Sequence, residues 1–240
     1  MAHIILTGAT GQAGAAILKY ALSSPSVSHI SVLSRRPVKL AENNPKASVI
    51  VHKDFAIYPD ELLSQLKGAT ACIWAQGISS RGMSEADYAK ITVDYPLAAA
   101  RSFATLGDTM NFVMISGDGA NMDESKAAMM FGKIKGRAER KLLELQHEIP
   151  SLYVYGLRPA IINPQGEYLA ERKVTLQDRL STGLGAVAEC VYKSFVIPTN
   201  SLAKACVDLA IGDGKPVAGP GVEGEGRILS NNAIRRLAGI

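Results

Sequence analysis

The chain has few cysteines, one tryptophan and no long run of apolar residues. Its three cysteines (Cys72, Cys190 and Cys206) are odd in number, far apart and without the spacing of metal ligands, so we expect reduced thiols rather than disulfides. A helix that crosses a bilayer needs about 20 consecutive apolar residues. The sequence offers no such run, and we therefore expect no association with a membrane.

An excess of charge of one sign is also lacking. The net charge is only +4 and the basic residues are not clustered, which argues against a nucleic-acid-binding surface. The first residues contain no basic stretch followed by an apolar segment, so we expect no secretory signal and a cytoplasmic location. The four histidines form no metal-ligand or catalytic-triad pattern, and no metal site is predicted.

Three glycines follow the first predicted strand, residues 4–7, at intervals of three. Gly8 is expected to turn the chain sharply, Gly11 to let a pyrophosphate approach the backbone, and Gly14 to let the next helix pack closely. The N-terminus of that helix offers N–H groups and the positive end of the helix dipole. This order predicts a dinucleotide site, the alternative being a glycine-rich turn that binds nothing. The predicted contacts are Gly8, Thr10, Gly11, Gln12 and Gly14.

Strand and helix patterns alternate over the first 158 residues. Such alternation predicts βαβ units and a parallel sheet, and strands that are almost entirely apolar are typical of a sheet covered on both faces. We therefore predict an α/β fold with a Rossmann-type doubly wound parallel sheet. The predicted strands are residues 4–7, 29–33, 48–52, 71–75, 111–115 and 152–157, and the predicted helices are residues 11–23, 58–66, 85–106 and 126–148.

This regular alternation fades after Pro159. Residues 176–192 have a helical pattern, residues 196–198 an extended one, and Ser201 is the predicted N-cap of a helix that runs to Ile211. Residues 212–226 are rich in glycine and are predicted to form a surface loop. We therefore predict a Rossmann core over residues 1–158 and a small C-terminal substrate lobe over residues 159–240, which is not an independent domain.

The segment after the second strand bears on the choice of cofactor. In dinucleotide-binding folds an acidic residue near this place binds the ribose hydroxyls, whereas an arginine accommodates a 2′-phosphate. No acidic residue ends this strand, and Arg35 and Arg36 follow it instead. Arginine offers planar, bidentate donors to a phosphate. The sequence thus favours NADP(H) over NAD, the alternative being two solvated loop arginines.

Two further strand ends supply candidate cofactor contacts. Asp54 and Phe55 follow the third strand, where a carboxylate could accept a hydrogen bond from an adenine amino group or simply cap the next turn. Ala75, Gln76 and Gly77 follow the fourth strand, and their small side chains and backbone suit a close approach to the nicotinamide ribose. The alternative there is a glycine turn without a ligand.

Several motifs together resemble the atypical short-chain dehydrogenase/reductases, in the NmrA-like and Tat-interacting-protein-like branch. The resemblance covers nearly the whole chain. It implies a Rossmann domain with a small C-terminal substrate lobe, usually one that binds NADP. The motifs that carry it are residues 7–14 (TGATGQAG), 34–36 (SRR), 112–116 (FVMIS), 135–139 (KGRAE) and 157–160 (LRPA).

The chain departs from this family at the expected catalytic tyrosine. Active members usually carry Tyr-x-x-x-Lys, in which the tyrosine donates a proton and the lysine lowers its pKa. Here Phe131 stands in place of the tyrosine, while Lys135 is retained. Ser116 matches the expected serine, but Gly117 follows where relatives often have a second serine. Lys135 and Ser116 are therefore the predicted catalytic residues, with Lys135 also holding the cofactor.

Three interpretations of this departure stay open. Lys135 could act without a tyrosine, as the resemblance to isoflavone-reductase-like members implies; another hydroxyl could substitute; or the pocket could perform redox-neutral chemistry or only sense the nucleotide. The leading prediction is an NADPH-dependent oxidoreductase that reduces a carbonyl or activated double bond of a small, largely apolar molecule. We expect a monomer or homodimer. The hydroxyls available are those of Tyr88, Tyr95, Tyr155 and Tyr168.

Apolar residues near the predicted site could form a substrate wall. Met129, Met130 and Phe131 lie beside the expected active site, and Met fills irregular space well, although core packing is the plainer interpretation. Tyr88 is a third candidate for substrate contact. Glu139 lies four residues after Lys135 and could form an i,i+4 pair with it.

Overall fold

The computed structural model describes residues 1–165, 167 and 195–240. Ten strands and seven α-helices lie within these ranges. The strands are β1 (Ala2–Thr7), β2 (Val27–Ser34), β3 (Ala47–Val51), β4 (Ala71–Trp74), β5 (Met110–Ile115), β6 (Leu152–Arg158), β7 (Ile161–Asn163), β8 (Val196–Pro198), β9 (Val222–Glu223) and β10 (Ile228–Ser230). The helices are α1 (Gln12–Ser23), α2 (Asp60–Gln65), α3 (Glu85–Ala89), α4 (Tyr95–Phe103), α5 (Met130–Glu148), α6 (Thr199–Ile211) and α7 (Asn231–Ala238).

The main sheet has eight strands in the order β3-β2-β1-β4-β5-β6-β10-β9. All neighbouring pairs are parallel except β10 and β9, which pair antiparallel. Strands β2 and β3 lie in turn on one side of β1, and the chain then crosses back so that β4 lies on the other side of β1. This reversal is the topological switch point, beyond which ligands bind in folds of this type. All six strands predicted from the sequence are confirmed.

Helices cover both faces of the sheet, as the doubly wound prediction requires. Successive side chains of a strand point to opposite faces of the sheet, so each strand contributes side chains to a core on either face. In β1, Ile4 and Leu6 pack in a core shared with α1, α6 and α7. Ile5 packs in a second core shared with α2, α4 and α5. Because both faces are buried, the strands need continuous apolar runs rather than alternation.

Two predicted helices differ in detail from the observed ones. The helix predicted over residues 85–106 ends at Phe103, and a π-helical segment, Lys90–Asp94, joins α3 to α4. The predicted start of the long helix at residue 126 is wrong, since α5 begins at Met130. The Asp123 side chain accepts a hydrogen bond from the Ser125 backbone and supports a separate 3₁₀ turn, and Met129 is extended.

The C-terminal residues join the Rossmann layers rather than standing apart. Strand β10 pairs with β6 in the main sheet, and α6 packs against α1, β4 and β5. Residues 199–240 therefore pack on the layers of the Rossmann core, and the boundary after residue 158 stays a prediction. The N-cap prediction is also wrong: α6 begins at Thr199, whose hydroxyl donates to the Asn163 carbonyl, so Ser201 lies inside the helix. The helix predicted over residues 176–192 lies outside the described residues.

The extended pattern predicted at residues 196–198 is confirmed as β8, which pairs parallel with β7 in a small second sheet. Cys72 and Cys206 are buried free thiols, and Cys190 lies outside the described residues. No helix in the described ranges is long and apolar enough to cross a membrane. The same ranges hold no group of three potential metal ligands.

Candidate functional site

The glycine loop lies at the switch point, between the ends of β1 and β4. Gly8 has φ of +71°, in the left-handed region that favours glycine, and a Cβ there would lie 2.4 Å from the Ala75 carbonyl oxygen. A Cβ on Gly14 would lie 2.1 Å from the Gly8 carbonyl oxygen. The first turn of α1 contains no acidic residue, which leaves the positive end of its dipole uncompensated. The loop therefore has the shape and polarity of an anion-binding turn.

A cleft of about 240 Å³, called here the glycine-loop cleft, opens beside this turn. It runs from the end of β2, across the loop, to the end of β4. Most of the predicted cofactor contacts line it, which brings together residues that follow four strands, β1 to β4. Those lining residues are Gly8, Thr10, Gly11, Arg35, Arg36, Phe55, Ala75, Gln76 and Gly77.

Four predicted cofactor contacts do not line this cleft, and one of them, Lys135, lines the second cleft described below. The Gln12 side-chain amide donates to the Glu167 carbonyl oxygen at 2.8 Å. Asp54 accepts from the Ala56 backbone N–H at 3.0 Å, which is the turn-capping alternative rather than the adenine contact. Gly14 is buried under the loop, where it permits close packing. The Asp54 carboxylate is exposed and has a second oxygen, so the adenine contact stays a prediction.

A second cleft, of about 420 Å³, lies beyond the ends of β5 and β6 and is called here the lysine cleft. Its base carries the two predicted catalytic residues, Ser116 and Lys135. Apolar groups form most of its wall, and Ile161 and Phe195 expose about half of their surface at its mouth. The lining residues are Ile115, Ser116, Gly117, Asp118, Phe131, Lys135, Pro159, Ala160, Ile161, Ile162 and Phe195.

A small cavity, called here the joining cavity, lies between the two clefts and shares wall residues with both. Its wall includes Gln76 and Gly77 from the glycine-loop cleft, Ser116 and Lys135 from the lysine cleft, and Thr92 from the π-helical segment. π-Helical segments within α-helices occur frequently at functional sites. The three spaces thus follow one another along the carboxyl ends of the strands, where the fold predicts a ligand, and are together called here the groove.

Lys135 and Ser116 make direct contact at the centre of this groove. The Lys135 ammonium donates to the Ser116 backbone carbonyl at 2.5 Å. Burial lowers the pKa of Lys135 from 10.5 to about 8, against an opposing effect of the Glu139 carboxylate. The Ser116 hydroxyl is buried and has no hydrogen-bond partner among the described residues. The site therefore holds an ammonium group with a pKa of about 8 next to a residue whose hydroxyl has no partner among the described residues.

Two close glycine contacts bring the loop after β5 down onto α5, next to Lys135. A Cβ on Gly132 would lie 2.2 Å from the Gly119 carbonyl oxygen, and one on Gly136 would overlap the Asn121 carbonyl. Gly117 also borders the ammonium, since its own Cβ would lie 3.4 Å from Lys135 Nζ. A side chain at Gly132 or Gly136 would displace the loop after β5 from α5.

The predicted substrate wall is only partly assembled. Phe131 lines the lysine cleft and Tyr88 lines the joining cavity. Met130 lines neither of these spaces and packs, partly buried, against the second core. Burial raises the pKa of Tyr88, against an opposing hydrogen bond from Thr92.

The other candidate hydroxyls lie elsewhere. Tyr155 donates to the Lys215 carbonyl at 2.8 Å, and Tyr95 packs near the Phe55 ring. Tyr168 lies outside the described residues. Of the described candidates, Tyr88 is therefore the tyrosine that borders Ser116 and Lys135.

A buried ion pair beneath Lys135 was not predicted from the sequence. Glu139 is fully buried and receives hydrogen bonds from Arg158 Nε at 3.0 Å and Nη2 at 2.6 Å. Glu139 thus pairs with the end of β6, and Lys135 donates to Ser116, in place of the i,i+4 pair that the sequence allows. In the sequence, Glu139 lies four residues after Lys135 and Arg158 directly precedes Pro159, but neither position indicates that the two charges pair with each other.

Comparison with known proteins identifies the family. No family profile matches the chain. The Leucinostatins biosynthesis cluster protein T of Purpureocillium lilacinum is 33% identical, over 97% of this chain and 94% of that protein. Protein HTATIP2 of Rattus norvegicus is 23% identical, over 98% of this chain and 88% of its own length. The chain belongs to the atypical short-chain dehydrogenase/reductases.

Other members of this family and solved structures agree with the fold. The mitochondrial protein fmp52 of Emericella nidulans is 29% identical over 88% of each chain. A short-chain dehydrogenase/reductase of Saccharomyces cerevisiae superposes with a TM-score of 0.65 at 17% identity, covering 99% of both chains. The Bordetella bronchiseptica enzyme WbmF, solved with NAD⁺, superposes with a TM-score of 0.66 at 13% identity, covering 99% of this chain and 76% of that chain.

Proposed function

We propose that this atypical short-chain dehydrogenase/reductase is an NADPH-dependent oxidoreductase that reduces a carbonyl or activated double bond of a small, largely apolar molecule. The observation that carries the proposal is that the joining cavity shares wall residues both with the glycine-loop cleft and with the cleft of Lys135 and Ser116, whose hydroxyl has no partner among the described residues. A cofactor laid along the strand ends would bring its reactive end to these two side chains. When bound, NADPH supplies the hydride.

The glycine-loop cleft fits a dinucleotide in shape and charge. Gly11 caps the N-terminus of α1, and a Cβ there would already lie 3.3 Å from the Gly8 carbonyl oxygen, in the space beside the loop. Backbone N–H groups and the helix dipole suit a pyrophosphate at this place. Arg35 and Arg36 are exposed on the rim of the same cleft. Their guanidinium groups support NADPH over NADH, because only NADPH carries the extra phosphate that they could bind.

Lys135 supplies the proton in this proposal. With a pKa of about 8, its ammonium is mostly protonated at neutral pH and still gives up a proton readily. Its positive charge and the Ser116 O–H would both stabilise the oxyanion that forms as a carbonyl is reduced. Phe131 takes the place of the usual tyrosine and can donate no proton, which is why the lysine carries this role.

The lysine cleft supports an apolar substrate. Phe131, Ile162 and Phe195 line it, and apolar pockets with few polar groups are typical of small-molecule sites. The relative of 33% identity is named as a protein of a leucinostatin biosynthesis cluster, which supports a natural-product-like substrate for this chain. A cytoplasmic location and a monomer or homodimer stay predictions, since the fmp52 relative is named as mitochondrial.

The test is NADPH oxidation by the purified protein with a panel of apolar aldehydes, ketones and enones. The expected result is substrate-dependent oxidation in the wild type and loss in Lys135→Ala, with NADPH affinity measured separately for both. A Lys135→Ala variant that keeps both turnover and affinity would refute the role of the lysine. Substrate conversion without loss of NADPH absorbance would instead establish redox-neutral chemistry in the same groove.

A further inference from the structure

We propose that Asp118 is a substrate-binding residue that recognises a protonated amine on an otherwise apolar substrate. The inference rests on the proposed function, because it names the class of molecule that enters the lysine cleft. Asp118 and Lys135 are the two charged residues among the described residues that line this cleft, and most of the others are apolar. In sites of this kind a few polar groups fix the orientation of an apolar ligand.

The loop after β5 holds Asp118 in the wall of the cleft. The backbone N–H of Asp118 donates to the Pro159 carbonyl oxygen at 2.9 Å, which ties this loop to the segment after β6. Both chain neighbours of Asp118 lie against α5, since a Cβ on Gly117 or on Gly119 would lie 3.5 Å from the Phe131 ring. The backbone of Asp118 is therefore fixed on both sides, whereas the residue itself is exposed.

The Asp118 carboxylate makes no hydrogen bond or ion pair with another residue in the described ranges. The basic residues in the first turns of α5 are engaged elsewhere. Lys135 donates to the Ser116 carbonyl, and Lys133 and Arg137 pair with carboxylates of α3 and of the 3₁₀ turn before α5. Asp118 thus presents a negative charge that the described part of the protein does not neutralise.

A second observation in the same cleft points to a ligand. Ser116 is 3% exposed and lines the cleft, and its hydroxyl has no partner among the described residues. A buried polar group without a partner costs free energy, and a bound molecule can supply the missing hydrogen bond. The cleft therefore offers a ligand a hydroxyl in its buried part and a carboxylate in its exposed part.

The rest of the wall suits the apolar body of such a ligand. Strand β7 contributes Ile161 and Ile162, and Phe195 precedes β8. Ile161 is 44% exposed and Phe195 is 54% exposed, so both leave apolar surface in water beside the cleft. An alkyl or aromatic body can cover this surface while its amine donates a charge-assisted hydrogen bond to the carboxylate.

The two charges of the cleft fix which end of the substrate binds where. An ammonium group beside Lys135 and Ser116 would be repelled by the lysine and would lose its hydration. Beside the exposed Asp118 the same group meets an opposite charge and keeps part of its hydration. The amine is therefore expected at Asp118, which leaves the reducible group of the substrate at Lys135.

The experiment is isothermal titration calorimetry of the full chain at neutral pH with three probes of equal chain length, octylamine, octanol and octanoate. The wild type is expected to bind octylamine about fivefold more tightly than octanol, as an exposed ion pair provides. Asp118→Asn should remove this preference by weakening the binding of octylamine alone. High salt should reduce the preference in the wild type, because it screens an exposed charge.

Asp108→Asn is the matched control for the loss of one negative charge. Asp108 is exposed and lies just before β5, whereas Asp118 follows the same strand at its other end. This variant should leave the affinities for all three probes unchanged. Phe195→Ala should weaken octylamine and octanol by the same factor, because both alkyl chains cover the apolar wall, and this loss places the probes in the lysine cleft.

Three results would overturn the proposal: no binding of octylamine, a preference for octylamine that Asp118→Asn leaves unchanged, or tighter binding of octanoate than of octylamine to the wild type. The comparison of probes and the salt dependence need only the wild type, so they stand even where a variant does not fold. The titration needs neither NADPH nor turnover. It can therefore fail while Lys135→Ala still abolishes reduction, or succeed while reduction is absent.

Discussion

Replacing Lys135 by methionine should make the protein more stable at neutral pH. Burial lowers the pKa of this lysine from 10.5 to about 8. The unfolded chain restores the ordinary value and so binds the proton more tightly than the folded protein. By linkage, this difference costs the folded state about 3 kcal/mol at pH 7. Methionine keeps most of the side-chain length and has no charge, so it removes this cost.

The expected gain is smaller than the full cost, because the hydrogen bond from Lys135 to the Ser116 carbonyl is lost as well. That loss is about 1 kcal/mol, which leaves a net gain of about 2 kcal/mol at pH 7. The protonation cost is fully present below pH 8 and declines as the pH rises towards 10.5. At pH 9.5 it is about 1 kcal/mol, and the two effects then cancel.

The assay is urea unfolding of the wild type and Lys135→Met at pH 7 and pH 9.5, compared as the difference in free energy of unfolding. The advantage of the variant should shrink by about 2 kcal/mol between the two pH values. Lys133→Met is the control for losing a lysine from the same helix, since Lys133 pairs with Glu85 at the surface. A difference that does not change with pH, or one that grows, would refute the burial argument.

Gly14→Ala tests the loop, with Gly68→Ala as its control, and Ser116→Ala tests the hydroxyl. Gly14→Ala should lower the free energy of unfolding by about 1–3 kcal/mol and weaken NADPH binding, because the new Cβ would lie 2.1 Å from the Gly8 carbonyl oxygen. Gly68→Ala, at a positive φ with open space, should lower stability but leave NADPH affinity unchanged in the same urea and fluorescence titrations. Ser116→Ala should leave the melting temperature unchanged or higher, because the buried hydroxyl has no partner among the described residues. Turnover should nevertheless fall about tenfold or more, and equal turnover would exclude a role for the hydroxyl.

Much of the fold could be predicted from the sequence, because its strands are buried on both faces. Continuous apolar runs such as those of β1 and β5 need no knowledge of their neighbours to be recognised. Strand β10 has three residues and follows a glycine-rich loop, so its pairing with β6 is set by tertiary contact alone. The start of α5 depends on the Asp123 cap of a preceding 3₁₀ turn, which interrupts an otherwise helical pattern.

The parts of the candidate site that could be predicted are those formed by short sequence motifs. The glycine loop, the arginines after β2 and the lysine of α5 all belong to short motifs, and most of these residues line the groove. The Gln12 side chain is hydrogen-bonded to Glu167, which lies 155 residues away in the chain, so its partner could not be predicted from local sequence. The Glu139–Arg158 pair likewise joins two elements whose contact appears only in the folded chain. Long-range polar partners of this kind leave no periodic signal.

The most direct test of the proposed function is a fluorescence titration of the purified protein with NADPH and NADH, repeated with Arg35→Ala and Gly11→Val. We expect NADPH to bind more tightly than NADH, Arg35→Ala to lose about tenfold or more in NADPH affinity with little change for NADH, and Gly11→Val to bind neither. Binding of neither nucleotide to the wild type would contradict the account and leave the Rossmann groove without its cofactor.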